Sequence, residues 1–288
     1  MSRYVITTET NSEIPWKFAK EHAVPFFRMP YTVEGVEADY DLGENTDFIA
    51  FFTKLKDGAQ AATSTKSPFE VEQFFRTQLD KGLDVLHLGF SSQLSAHFSI
   101  CKGCLETLRA DYPKQRIEMI DTMRISMPMG LIVMEAVEMM EAGKSFQDVY
   151  DWVQVNKLRA QGWFTVDDLM YLKRGGRLSG TAAVLGTMLE VKPVLILDDM
   201  GKIVVHDKIK GRKNVIKYLE KTLEENIGDP AESNVTILHA MNLEMAENLK
   251  ERLEKFATFK SLWIQDIGPV IGSHTGPGVL AVCFLKKA

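Results

Sequence analysis

Apolar runs of strand length alternate with helix-spaced stripes through the first 160 residues, and this alternation constrains the fold more than any other feature. "RYVITT" (3–8), "DVLHLGF" (84–90) and "RIEMI" (116–120) read as strands, and "VPFFRMPYTV" (24–33) as another with proline punctuation. Between them a helix starts at Ser67, with Pro68 at its first position and Glu70 three residues on, the arrangement of a capping box. Val71, Phe74, Phe75 and Leu79 then line one face. The segment 95–112 is a helix with Phe98, Cys101, Leu105 and Leu108 on its stripe. Further helices are expected over roughly 126–142 and from Ser145. Such alternation implies a mostly parallel sheet flanked by helices.

The second half changes character. "QGWFTV" (161–166) and the pair within "KPVLILDDMGKIVVHDKIK" (192–210), joined at "DDMG", are strands. Helices at about 212–226 and 241–256 flank the strand "NVTILHA" (234–240), and "SLWIQDI" (261–267) and "PGVLAVCFL" (277–285) close the chain. The fold class is therefore α/β, with an N-terminal α/β domain over 1–160 and a C-terminal α/β domain with an antiparallel sheet over 161–288. No internal repeat is visible.

At 288 residues, two such units can each bury a core. The net charge of −5, from 34 basic and 39 acidic residues, argues against a nucleic-acid partner held by phosphate neutralisation. No signal-peptide core opens the chain. The apolar run "MGLIVMEAVEMM" is broken by Glu135 and Glu138, so no membrane span is expected. Three cysteines, an odd number, fit a reducing compartment, and a cytoplasmic location is expected.

Several stretches invite a chemical reading, and each has a plainer one. Cys101 and Cys104 form a C-x-x-C, but they fall on or beside a helical core stripe without a second cysteine pair or histidine pair. Core packing is favoured and no metal site is expected. "KRGGRLSGTAAVLG" (173–186) is not a phosphate loop of known spacing. Its glycines suit a turn between helices, or a turn that points the Arg177 guanidinium into a cleft. Thr63, Ser64 and Thr65, and Ser91, Ser92 and Ser95, stand just before helices, where hydroxyls serve as caps. Two such clusters at the carboxyl ends of preceding segments also suit an anion, since that edge of an α/β sheet is where ligands bind. Lys208, Lys210, Arg212 and Lys213 make a basic stretch that is either a solvated strand end or a docking patch.

"VIGSHTGPGVLAV" (270–282) sets His274 among small, turn-forming residues between apolar runs that read as strands. Filler, metal ligand, catalytic base and ligand anchor are its possible roles, and want of companion ligands removes the metal.

Taken in order, these segments resemble the DegV family of bacterial proteins. "TSTKSP" (63–68) is similar to the family's T-S-Q-P-S segment, "SSQLSAH" (91–97) to S-S-x-L-S-G-T, and "DTMRISMPMG" (121–130) to its D-S…G segment. "YLKRGGRLSG" (171–180) matches L-x-x-G-G-R-[IL]-S, the run after it resembles K-P-[IV]-L…G-x-I…R-x-x-K, and "IGPVIGSHTGPGVLAV" (267–282) fits the closing motif almost residue by residue. The resemblance implies two α/β domains with an apolar ligand tunnel between them holding one long-chain fatty acid. It implies a carrier, not an enzyme, with no cofactor: the acyl-binding subunit that presents the carboxyl group to a separate ATP-dependent fatty-acid kinase, which makes an acyl phosphate. Transient membrane contact for fatty-acid exchange is compatible with it.

Carried over by position, Thr63 and Ser95 would bond the carboxyl group, with Arg177 and His274 completing the polar network. Ser64 and His97 stand beside them, and Arg212 with Lys208 would face the kinase. A tail of about 14 buried methylenes at roughly 0.8 kcal/mol each gives a gross ~11 kcal/mol, so the tail supplies affinity and the head group sets orientation. Three segments depart from the family pattern. Thr8, Glu9 and Thr10 replace its D-S-T, Thr65 and Lys66 precede Ser67 and Pro68, and Ala96 and His97 replace Gly-Thr, which puts a titratable ring beside the expected carboxyl site. The competing expectations are a phosphotransferase or hydrolase with His274 or His97 as base, and a sensor of another small carboxylate.

Overall fold

Residues 3–179 and 191–287 are described by the computed structural model. The first apolar run forms β1 (Tyr4–Glu9), followed by α1 (Trp16–Glu21), β2 (Phe26–Phe27), β3 (Pro30–Val33) and β4 (Val36–Asp39). The segment 24–33, expected as one strand, is thus two strands in different sheets. Pro30 lacks the N–H a continuing ladder needs, so it opens a new strand instead. There follow α2 (Phe48–Lys56), β5 (Ala61–Thr63), α3 (Pro68–Leu79), β6 (Asp84–Gly89), α4 (His97–Asp111), β7 (Ile117–Asp121), α5 (Met127–Glu141) and α6 (Phe146–Asn156). The start of α3 carries both halves of the expected capping box, with Ser67 Oγ accepting from the Glu70 N–H and Glu70 accepting from the Ser67 N–H.

Strands β2-β1-β6-β7 form a wholly parallel sheet. Every residue of β6 is buried, as expected of a central strand covered on both faces. A small antiparallel sheet, β4-β3-β5, sits beside it.

The rest of the chain gives β8 (Ala160–Thr165), α7 (Met170–Arg174), β9 (Val191–Leu197), β10 (Ile203–Lys210), α8 (Arg212–Asn226), β11 (Asn234–His239), α9 (Leu243–Phe256), β12 (Ser261–Asp266), α10 (Pro269–Thr275) and β13 (Leu280–Leu285). Its sheet has the order β10-β9-β8-β13-β11-β12. The sheet is mixed, not purely antiparallel: β11 and β12 run parallel because α9 carries the chain from one to the other as a crossover. One apolar core runs from Ile6 to Cys283, while a second lies where Leu219 and Leu223 of α8 and Leu249 and Leu253 of α9 pack with Ile237.

Helix α5 packs against β1 and also against β8 and β13. Buried on both sides, its first turns are apolar all round, from Met127 to Met134, where a surface helix would show a stripe. The fit is close: a side chain at Gly162 of β8 would come within 2.6 Å of the Pro128 ring.

Polar ties hold the two large sheets in register. Arg124 is buried, with its guanidinium donating to the carbonyls of Met123, Leu158, Ala160 and Asp198. Ser91 donates to the Gly201 carbonyl at 2.7 Å, at the tip of the β9–β10 hairpin. Glu13 accepts from the Gly268 N–H at 2.6 Å and from the Ser126 hydroxyl, so one buried carboxyl ties the entrances of α5 and α10.

Candidate functional site

The segment around His274 is a helix where a loop between strands was expected. Pro269 fixes φ at the first position of α10, and Gly276, at φ +72°, stops it. A stretch of seven residues without an apolar stripe left no helical period to read. The last turn of α10 carries His274 to the end of β5, where its Nε2 lies 2.8 Å from the Thr63 hydroxyl.

The loop that leads into α4 supplies the opposite wall. Ser95 Oγ accepts from the His97 N–H at 3.1 Å, a turn bond ahead of α4 that leaves its own proton free to donate. Arg177 arrives from the other half of the chain. After α7, Gly176 at φ +69° reverses the backbone, and the Arg177 N–H bonds the Leu172 carbonyl. Its guanidinium then donates to the Leu94 carbonyl at 3.0 Å and to the Gly175 carbonyl. Residues 180–186 of the glycine-rich stretch lie outside the described residues.

These elements enclose a cavity of about 230 Å³ whose wall includes Thr63, Ser64, Ser95, Arg177 and His274. It also includes Asn11, a residue that sequence reasoning missed. Asn11 is buried, and among the described residues its side-chain oxygen has no hydrogen-bond partner. The polar run "TTETNSE" (7–13), which spans the end of β1 and the residues after it, was the available signal. Across Ile125, Ile203, Ile271 and Thr275 the cavity meets a narrower one of about 60 Å³, almost wholly apolar, between α5 and the six-stranded sheet. Pro128, Phe164, Leu197 and Ala281 line that deeper part. On another side, Thr63, Arg177 and His274 also border a more polar cavity of about 290 Å³.

The electrostatics of the mouth are simple. Burial, with the Arg177 charge next in size, pushes His274 down to about 4, so its imidazole is neutral at neutral pH. Burial also lowers Arg177, though a guanidinium keeps its charge. The mouth thus offers one fixed cation, a neutral ring and the hydroxyls of Thr63, Ser64 and Ser95, a set suited to a carboxylate. It is poorly suited to base catalysis, because among the described residues His274 Nδ1 has no hydrogen-bond partner and hence no carboxylate to orient the ring. Gly175 lies against that same nitrogen, where any side chain would collide with the ring.

His97 does not join this group. It turns inward, fully buried, with its ring stacked on Phe90 and its Nε2 3.4 Å from Cys101 Sγ and 3.9 Å from Glu9. His87 reaches the same carboxyl at 3.5 Å. Burial raises Glu9 to about 7, pushes His87 down to about 3 and lowers His97, so both rings are neutral in the core. The helix direction explains the difference from expectation: Ala96 faces the cavity, and the next residue starts the inner face of α4.

Lys66 is likewise drawn off, pairing with Asp39 at 2.9 Å and Glu70 at 3.3 Å. Cys101 is buried in the core of α4 and Cys104 is half-buried, and both are free thiols. Among the described residues no group of three or more His, Cys, Asp or Glu could hold a metal ion. Arg212 is exposed and pairs with Asp167 at 3.5 Å; Lys208 is exposed on β10. No helix among the described residues is long and apolar enough to cross a membrane.

Comparison with known proteins finds relatives along nearly the whole chain. The family model described as "Uncharacterised protein, DegV family" matches residues 3–287. A DegV domain-containing protein of Clostridium perfringens strain 13, CPE0026, is 36% identical over 99% of this chain and 98% of its own. The crystal structure of the fatty acid binding DegV family protein SAG1342 from Streptococcus agalactiae is 27% identical, with a TM-score of 0.87 and full coverage of both chains. A DegV family protein from Thermus thermophilus, described for its fatty acid binding, is 25% identical with a TM-score of 0.88, covering 99% of this chain and 100% of its own.

Proposed function

Because this chain belongs to the DegV family, we propose that it is a non-catalytic carrier of one long-chain fatty acid, presenting the carboxyl group to a separate ATP-dependent kinase in the cytoplasm. The observation that carries the reading is the continuity of a polar mouth with an apolar depth: Thr63, Ser95, Arg177 and His274 at one end, Pro128, Phe164 and Ala281 at the other. Relatives at 25–27% identity that bind fatty acids support it.

In this reading residues 1–160 and 161–288 act as two domains with the ligand tunnel between them. Arg177 supplies the charge that balances the carboxylate. The Ser95 and Thr63 hydroxyls donate to it, Asn11 and Ser64 complete the wall, and the neutral His274 ring holds Thr63 in place. Each charged hydrogen bond is worth roughly 1.5–3 kcal/mol and mainly offsets desolvation of the carboxylate. Affinity then comes from the tail. Arg212 and Lys208, exposed on the surface, form the face that meets the kinase.

Native mass spectrometry of the purified protein tests the proposal. One adduct of fatty-acid mass is expected, either co-purified or after incubation with palmitate or oleate, and it should gain the mass of a phosphoryl group when kinase and ATP are added. Absence of any fatty-acid adduct would sink the carrier reading. An adduct that stays unchanged with active kinase would sink the presenting role.

A further inference from the structure

The polar cavity of about 290 Å³ meets the carboxyl site at Thr63, Arg177 and His274, on a side that the apolar depth does not use. It adds Gln60 and Arg174 to the shared residues. Arg174 is exposed, and its guanidinium lies over the Tyr171 ring at 4.8 Å. Among the described residues it has no hydrogen bond or ion pair, so aromatic stacking fixes the group while leaving its donors unused. Among the described residues the cavity wall thus carries two guanidinium groups, and no Asp or Glu lines it.

We propose that this cavity is a phosphoryl subsite, which receives the phosphate of a long-chain acyl phosphate with Arg174 and Arg177 as its cationic walls. The inference rests on the carrier reading. In the transfer it serves, a carboxylate oxygen attacks the γ-phosphorus of ATP held by the kinase. A new oxygen–phosphorus bond forms, the bond to the β-phosphate oxygen breaks, and ADP leaves with that electron pair. The product head group is larger than a carboxylate and carries a second negative charge. With the tail fixed in the apolar depth, the added phosphate must project away from it, and the polar cavity is the space that borders the carboxyl site there. Planar guanidinium groups match the geometry of phosphate oxygens in pairs. Arg177 borders both cavities and serves both groups, whereas Arg174 borders the second alone and answers only to the phosphate.

The test compares two ligands by calorimetry: palmitate, and the β-ketophosphonate in which a methylene replaces the bridging oxygen of palmitoyl phosphate. Arg174→Ala should weaken phosphonate binding by about tenfold to a hundredfold and palmitate binding by less than about twofold. Arg174→Lys, which keeps the charge and loses the fork, should fall between. Because Arg174 is an exposed residue, these changes leave the core intact. An unchanged phosphonate affinity in Arg174→Ala, or an equal loss for both ligands, overturns the subsite and leaves the carrier standing. Wild-type protein that binds neither ligand overturns both.

Discussion

The Thr63 hydroxyl and the His274 ring, 211 positions apart in sequence, meet in a 2.8 Å hydrogen bond. It fastens the end of β5 to the last turn of α10, at the seam shared by the cavity of about 230 Å³ and its more polar neighbour.

Removing the hydroxyls at this seam should separate head-group from tail binding. Thr63→Ala and Ser95→Ala should each lower palmitate affinity by roughly tenfold to a hundredfold, about 1.5–3 kcal/mol, and leave the affinity for hexadecanol within about twofold. Calorimetric titration with the two ligands reads the difference. Equal losses for acid and alcohol would place the hydroxyls with the tail.

Gly175 offers a cleaner probe of His274 than replacing the histidine. Its backbone is ordinary right-handed helix, φ −69°, so alanine suits the dihedral, yet the new methyl would press on His274 Nδ1 and come within 3.3 Å of the Tyr171 carbonyl. Gly175→Ala should therefore weaken palmitate binding about tenfold while changing the thermal midpoint by only a few degrees. Normal binding would show that the ring position is unimportant.

Chain-length preference should follow the deep apolar wall. Ala281 is buried in β13 against that space, and Ala281→Leu fills part of it. Each methylene so excluded forfeits roughly 0.8 kcal/mol, so the bound acids should shift toward shorter tails by about two to three carbons. Mass spectrometry of co-purified lipid gives the distribution; an unchanged one would put the tail elsewhere.

Glu13 should make the protein's stability depend on pH in a predictable direction. Burial raises its carboxyl to about 7 from an ordinary 4.5, against the bonds from Ser126 and Gly268. The unfolded chain therefore loses this proton first as pH rises, and between those two values the folded state loses stability from this group. Glu13→Gln has no proton to lose, and Ser126 can turn its hydroxyl to accept from the amide. Stability of the variant relative to wild type should climb from about pH 4.5 to 7 and level off above. Denaturant titrations at several pH values measure it, and a flat difference would contradict the buried carboxyl.

Most long elements were legible in the sequence because their own periodicity decides them. The capping box at Ser67 and the turn-forming "DDMG" each appear where expected. What escaped is what depends on partners far away in the chain. The helix α10 is too short to show a stripe and is held by Glu13 across 255 positions. Asn11 is a wall residue only because β1 ends beneath the loop at Phe90. His97 looked like part of the mouth because a motif gives spacing but not helix phase. Nothing in the sequence around Arg124 marks it as buried, and only the packing of two sheets makes it a clamp.

The ties made by Arg124 and Glu13 also limit how the protein can be taken apart. A fragment stopping near residue 160 would deprive Arg124 of the Asp198 carbonyl, and Glu13 of the Gly268 N–H. It would also bare the faces of α5 that β8 and β13 now cover. Either piece alone would lose these ties and expose apolar surface that the other now covers, so grafting one of them onto another scaffold has to replace both.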